Sequence, residues 1–228
     1  MRTFRPLAVA LVALAVTSGC GGAKNDRGLS KLSAQQLLHK SRAYVGGDNA
    51  VRAKGTVSST GTKLGLDLNF SGSDSLGTIT INGADMDIER LGGTVYFKGS
   101  DSFWKAQAGA QAQQIITVIN GRWIKADPSA AQLKGLLNLA SRKFVTDQVL
   151  SPNGTVKKGA PKTVNGVDCL TLSTKDGSLY VDKQDAKPVE LVGGSGGSSG
   201  KVDFTYTSVT KPSAPAAKDV IDFAKLRG

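Results

Sequence analysis

Histidine occurs once in this 228-residue chain, at His39, and cysteine only twice, at Cys20 and Cys169. A metal shell of ordinary composition cannot be assembled from so few donors. Acidic residues are short as well, 18 against 29 basic ones, and none precedes Asp26. Aromatic residues make up 6% of the chain and do not interleave with runs of basic ones, so nucleic acid is excluded as a partner. A long hydrophobic run is also missing. The longest, Leu7 to Val16, would rise about 15 Å as a helix, half of a hydrocarbon core roughly 30 Å thick. It can enter a membrane but not span it.

What is present starts with that run. Arg2 and Arg5 stand before it and small residues follow it, the layout of a secretory signal peptide over residues 1–19. Thr17-Ser18-Gly19-Cys20 resembles the lipobox of bacterial lipoproteins, although Thr17 stands where leucine is usual. The resemblance implies that the Cys20 thiol takes a diacylglyceryl group with palmitate-type chains and becomes the first mature residue. Two or three buried acyl chains hold stably where one holds marginally, at ~0.8 kcal/mol per methylene. The expected location is therefore the cell membrane, lipid-anchored on its extracytoplasmic face. Residues 20–31 read as the lipidated N-terminus and a flexible tether, and residues 32–228 as one domain. Without Arg2 and Arg5 the net charge falls from +11 to +9, a surface suited to anionic lipid head groups or acidic wall polymers.

With Cys20 committed to lipid, Cys169 has no partner in the chain, and "GVDCLTL" reads as a strand in which a small thiol packs. Ser33 and Gln36 form a capping-box pattern, with Leu32 and Leu37 placed as a hydrophobic staple, and apolar residues recur at helical spacing as far as Gly46-Gly47. The period then changes to two. "TKLGLDLNF" and "ADMDIER" alternate apolar and polar residues, and turn signals at Ser71-Gly72, Asn82-Gly83 and Gly92-Gly93 separate the runs as an antiparallel meander.

In the middle, "AGAQAQQIITVIN" and "SAAQLKGLLNLASRKFVTDQVL" read as helices around a short strand, "GRWIKAD". Leu133, Leu136, Leu137 and Leu139 form the apolar stripe of the second. The β-branched run Ile115 to Ile119 leaves the first open to being a strand or a loosely held lid. Four more strand patterns follow: "GVDCLTL", "GSLYVD", "KPVELV" and "KVDFTYTSV". "GGSGGSSG" joins the last two as a flexible loop, and "DVIDFAKL" runs on as an irregular strand or closing segment. This order predicts an α+β fold, with helices gathered on the apolar side of an antiparallel sheet. Glycine, 28 of 228 residues against a norm of ~7%, favours curvature.

No catalytic constellation emerges, and the chain reads as a non-enzyme without cofactor or metal. The loop matches G-x-S-x-G at 193–197 and 196–200, but strands flank it and His39 lies upstream of both serines. Its Gly200-Lys201 end fails as a phosphate loop, since Ser195 and Val202 stand where glycine and a hydroxyl residue are needed. Asp85 and Asp87 alternate with Ala84, Met86 and Ile88 as a solvated strand face. The apolar face is nominated instead: Leu66, Leu68, Phe70, Met86, Ile88, Val95, Phe97, Leu179, Val181, Val202 and Phe204 line either a packed core or a cavity.

The lipobox, "LLHKSRA" (37–43), "RAKGTV" (52–57), "GGTVYFKGSDSFWK" (92–105) and "NGRWIKAD" (120–127) together resemble the LppX/LprG/LprF type of actinobacterial lipoprotein. The likeness runs from about Leu32 to Phe223 as an order of elements. It implies a half-barrel similar to the carriers LolA and LolB, closed by helices around an apolar cavity for acyl chains. The implied role is to bind or carry a lipid or lipoglycan as a membrane-tethered monomer. The other expectation is a structural or sensory envelope lipoprotein that binds wall polymer or a partner protein. No residue names that partner.

Overall fold

The computed structural model describes residues 26–59, 61–126, 134–152, 154–194, 198–207 and 209–223. The signal peptide, Cys20 and Leu133 lie outside the described residues.

Ordered structure starts ahead of Leu32. The Asp26 carboxylate accepts from the N–H groups of Gly28 and Ser30 at 2.9 and 3.0 Å, and a 3-10 turn, Leu29–Lys31, buries Leu29. Ser33 then caps helix α1, Ala34–Gly46. Its hydroxyl accepts from the Gln36 N–H at 3.2 Å while the Gln36 side chain accepts from the Ser33 N–H at 2.8 Å, so both members of the capping box are made. Leu37, Leu38, Ser41 and Val45 form its buried stripe.

Alternation of period two builds the meander β1 (Val51–Ser59), β2 (Thr62–Ser71), β3 (Asp74–Ile81), β4 (Ala84–Leu91) and β5 (Thr94–Gly99). Helix α2, Asp101–Ala108, follows at once. Local chemistry starts it: Ser100 accepts from the Phe103 N–H, and Asp101 supplies a negative charge in the first turn. The segment left open between helix and strand is helix α3, Ala112–Ile119. Its β-branched run tolerates the helix because Ala112 and Ile119 are buried on one side, and tertiary packing outweighs propensity. Strand β6, Trp123–Ala126, pairs with β5.

The second apolar stretch is not one helix. It is α4 (Lys134–Asn138), α5 (Arg142–Phe144) and a π-helical turn, Val145–Val149. Ser141 causes the break: its hydroxyl donates to the Asn138 carbonyl at 2.6 Å and accepts from the Phe144 N–H at 3.0 Å, ending one helix and capping the next. The remaining strands are β7 (Lys157–Lys158), β8 (Lys162–Val164), β9 (Val167–Thr174), β10 (Gly177–Asp182), β11 (Pro188–Gly193), β12 (Ser198–Thr205) and β13 (Val220–Asp222). The glycine-serine segment is shorter as a loop than its composition suggests. Gly193 closes β11, and Ser198, Ser199 and Gly200 already pair with Ser59, Ser58 and Val57 of β1.

These strands form one open, curved sheet in the order β13-β6-β5-β4-β3-β2-β1-β12-β11-β10-β9-β7, with β8 on β9. Every pairing is antiparallel except β13 with β6. The fold is therefore α+β. Glycine permits tight pairing within the strands. At Gly55 (φ 159°) an added Cβ would lie 1.9 Å from the Lys201 carbonyl oxygen, and at Gly77 (φ 152°) 1.9 Å from that of Asp67.

The helices cover the apolar face. Phe103 of α2 packs over Gly99, where an added Cβ would come within 2.3 Å of its ring. Ser75 of β3 donates to the Ala140 carbonyl at 2.7 Å, pinning the start of the α5 region to the sheet. On the opposite face charges are paired: Arg52 makes two hydrogen bonds to Asp67, at 2.7 and 2.8 Å, and Lys201 bridges to Glu190 and Asp203.

Candidate functional site

The strand register carries the site. One row crosses the sheet through Met86, Ile79, Leu66, Gly55, Val202, Leu191, Leu179 and Leu172, each paired with the next. A parallel row runs through Phe97, Ile88, Gly77, Leu68, Ala53 and Phe204. All eleven nominated residues belong to one buried apolar cluster, and none is more than 6% exposed. Side chains of α1, α2, α5 and the π-helical turn share that cluster, including Leu37, Phe103, Phe144 and Val145.

The first row ends in a cleft of about 230 Å³. The sheet contributes Val57, Leu172, Leu179 and Leu191; the cover contributes Leu38 of α1 and Val149, Leu150 and Pro152 from the π-helical turn and the residues after it; Val156 completes the apolar wall. Polar lining comes from Ser58, Gln148, Thr174, Asp176, Ser178 and Ser199. Of the nominated residues Leu179 lines the cleft and the others do not. Leu172 and Leu191 were visible as strand residues in "GVDCLTL" and "KPVELV", but their facing could not be read without the register. Pro152 and the π-helical turn carried no sequence signal for this role.

A polar groove of about 350 Å³ adjoins the cleft, shares Thr174 with it, and is lined by Gly154, Thr155, Lys157, Ser173 and Lys175. The turn between β9 and β10 separates the two. There the Asp176 N–H donates to the Thr174 hydroxyl at 3.1 Å and the Gly194 N–H to the Asp176 carbonyl at 2.6 Å.

The cover is fastened to the sheet by Arg142. Its guanidinium donates to the carbonyls of Gly72, Val45 and Asn49 at 2.8, 2.8 and 2.7 Å. Arg42 of α1 donates to the Thr146 carbonyl inside the π-helical turn at 2.9 Å.

Residues set aside in the sequence have identifiable surroundings. His39 is exposed on α1. Asp85 and Asp87 accept from Thr80 and Thr78 across the outer strand face at 2.6 and 2.8 Å. Cys169 is buried on that outer side with Val164 and Val189, and burial pushes its thiol up to about 11. Among the described residues no three His, Cys, Asp or Glu side chains converge as a metal site would require.

The chain is similar in structure to LprF from Mycobacterium bovis at 12% identity, with a TM-score of 0.49 and 80% of this chain aligned to 97% of that one. LprF is also among the types that the sequence phrases resemble. MucB is similar at 16% identity and a TM-score of 0.36, over 81% of this chain and 61% of its own. A LolA superfamily protein from Nitrosomonas europaea is similar at 10% identity and a TM-score of 0.27, over 81% and 96%. No family model and no curated protein matches the chain.

Proposed function

We propose that this chain is a non-catalytic lipoprotein, anchored through Cys20 at the outer face of the cytoplasmic membrane, that binds an acyl portion of a lipid or lipoglycan. The observation that carries the reading is the cleft at the end of the apolar row, where Leu38, Val57, Leu172, Leu179 and Leu191 converge. Apolar side chains left around a void lose contact energy that a hydrocarbon guest restores, and each buried methylene contributes ~0.8 kcal/mol. A tether supports such work by raising the local concentration of the binder near lipid.

Two measurements test the two halves. In a bacterial host fed labelled palmitate, the full chain is expected to take up label and partition into detergent, whereas Cys20→Ala takes up none. Label retained by Cys20→Ala would end the anchoring half. For the binding half, the mature chain is expected to show co-purified lipid by native mass spectrometry and to bind a fluorescent fatty acid; absence of both results would end it.

A second reading, an envelope protein that binds wall polymer or a partner protein, is favoured by the tight packing of ten of the eleven nominated residues away from the cleft. It is distinguished by salt-sensitive binding to an anionic polymer without acyl binding.

A further inference from the structure

We propose that the ligand is an amphiphile with one acyl chain and an anionic head, the chain in the apolar cleft and the head in the adjoining groove between Lys157 and Lys175. The inference rests on the acyl-binding reading and adds the ligand's class and its direction in the site.

Size argues for one chain. A cleft of about 230 Å³ falls below the ~300–1,000 Å³ typical of pockets that enclose a drug-sized ligand. Tight packing of Val202, Leu66 and Met86 blocks extension along the row.

Charge argues for the head. Lys54, Lys98, Lys183, Lys187 and Lys201 each stand within ion-pair distance of a carboxylate on this sheet. Lys157 and Lys175 are exposed, and like Lys63, Lys125, Lys158 and Lys162 they make no ion pair among the described residues, but these two line the same polar groove. Strand pairing sets Lys157 opposite Ser173, two positions from Lys175, and both lysines line one polar groove with the hydroxyl residues Thr155, Ser173 and Thr174. Ammonium and hydroxyl donors together suit a carboxylate or phosphate.

Asp176 gives the direction. It lines the cleft and not the groove, so a like charge repels an anion from the apolar side while the lysines attract it one residue away. A neutral head gains nothing from this arrangement.

The test is fluorescent-probe displacement on the mature chain, with each lipid below its micelle-forming concentration. The competitors are palmitate and a lysophosphatidylglycerol (one chain, anionic carboxylate or phosphate), a monoacylglycerol (one chain, neutral) and a diacyl phosphatidylglycerol. The single-chain anionic lipids are expected to bind at least about threefold more tightly than the monoacylglycerol, and Lys157→Glu/Lys175→Glu to erase that difference, since the reversal turns two attractions into two repulsions. Asp176→Asn is expected to tighten anionic binding. A preference for palmitate over the lysophospholipid, or the reverse, identifies which anion the groove takes. Equal binding of neutral and anionic chains, or an unaffected double variant, would overturn the anionic head while leaving acyl binding intact. Diacyl binding as tight as single-chain binding would overturn the single chain. Displacement by no lipid at all would overturn this inference together with the reading beneath it. Circular dichroism and melting temperature of each variant separate loss of binding from loss of fold.

Discussion

The Arg142 guanidinium carbon lies 5.3 Å from the centre of the Phe70 ring, a cation resting on an aromatic face of the core. From there its nitrogens reach three carbonyls, on the β2–β3 turn, at the end of α1 and at Asn49 just beyond it. A single side chain thus ties the α5 region both to the sheet, at the β2–β3 turn, and to the end of α1. Arg142→Ala is expected to lower unfolding free energy by about 3 kcal/mol, since charged hydrogen bonds are worth roughly 1.5–3 kcal/mol each and are not additive. Arg142→Lys should recover less than half of that, because one ammonium cannot span three carbonyls in a planar fork. Urea unfolding measures both, and a loss below about 0.5 kcal/mol for Arg142→Ala would remove its fastening role.

Gly55 shows how the sheet admits close pairing. Its φ of 159° and the 1.9 Å approach of the Lys201 carbonyl oxygen to an added Cβ leave no room for a side chain. Gly55→Ala is expected to destabilise by more than about 2 kcal/mol in thermal or urea unfolding. Gly135 in α4 is the control, with nothing near its absent Cβ, and Gly135→Ala should be neutral or stabilising by up to about 1 kcal/mol.

Two carboxylates give pH dependences of opposite sign. Burial and the neighbouring Asp87 hold Glu89 above its ordinary range, so its ionised form is disfavoured in the folded state. Glu89→Gln should therefore raise stability near neutral pH, with the gain fading as pH falls into the ordinary carboxylate range near ~4.3. Asp67 is held low by its hydrogen bond from Arg52, with burial opposing. Asp67→Asn should lower stability near neutral pH, and the loss should fade as pH falls through the depressed value of Asp67. Denaturant midpoints from pH 3 to 8 read both slopes, and parallel slopes would contradict the assignment.

Much of this architecture was legible because alternation of period two is a direct imprint of a half-buried sheet. Leu66, Leu68 and Phe70 share a face for the same reason that Lys63, Asp67 and Asn69 share the other. The capping box at Ser33 and Gln36 likewise announced α1 through local chemistry alone. What stayed hidden depends on register. Which strand faces Leu179 is set by pairing with Leu172 and Leu191, and no local pattern encodes that. The break at Ser141 was also obscured, since a serine capping a new helix looks like a polar residue within a longer one. Hence the apolar face was identified as a whole, while the part left open as a cleft was not.

That division between packed face and cleft can be measured residue by residue. Met86 is 1% exposed, at the end of the row away from the cleft and absent from the cleft wall, so Met86→Ala should leave a cavity and cost about 2–5 kcal/mol. Its effect on acyl-probe affinity should be less than about twofold once the folded fraction is corrected, because nothing at the cleft changes. Leu179→Trp places bulk where the row meets the void. If the cleft absorbs the indole, the stability cost stays within the ~1–3 kcal/mol of overpacking while the probe is displaced. The two variants therefore predict opposite patterns, stability lost with binding kept and binding lost with stability largely kept. A reversed outcome, with Met86→Ala abolishing binding and Leu179→Trp sparing it, would locate the hydrocarbon within the row itself and require the helical cover to open.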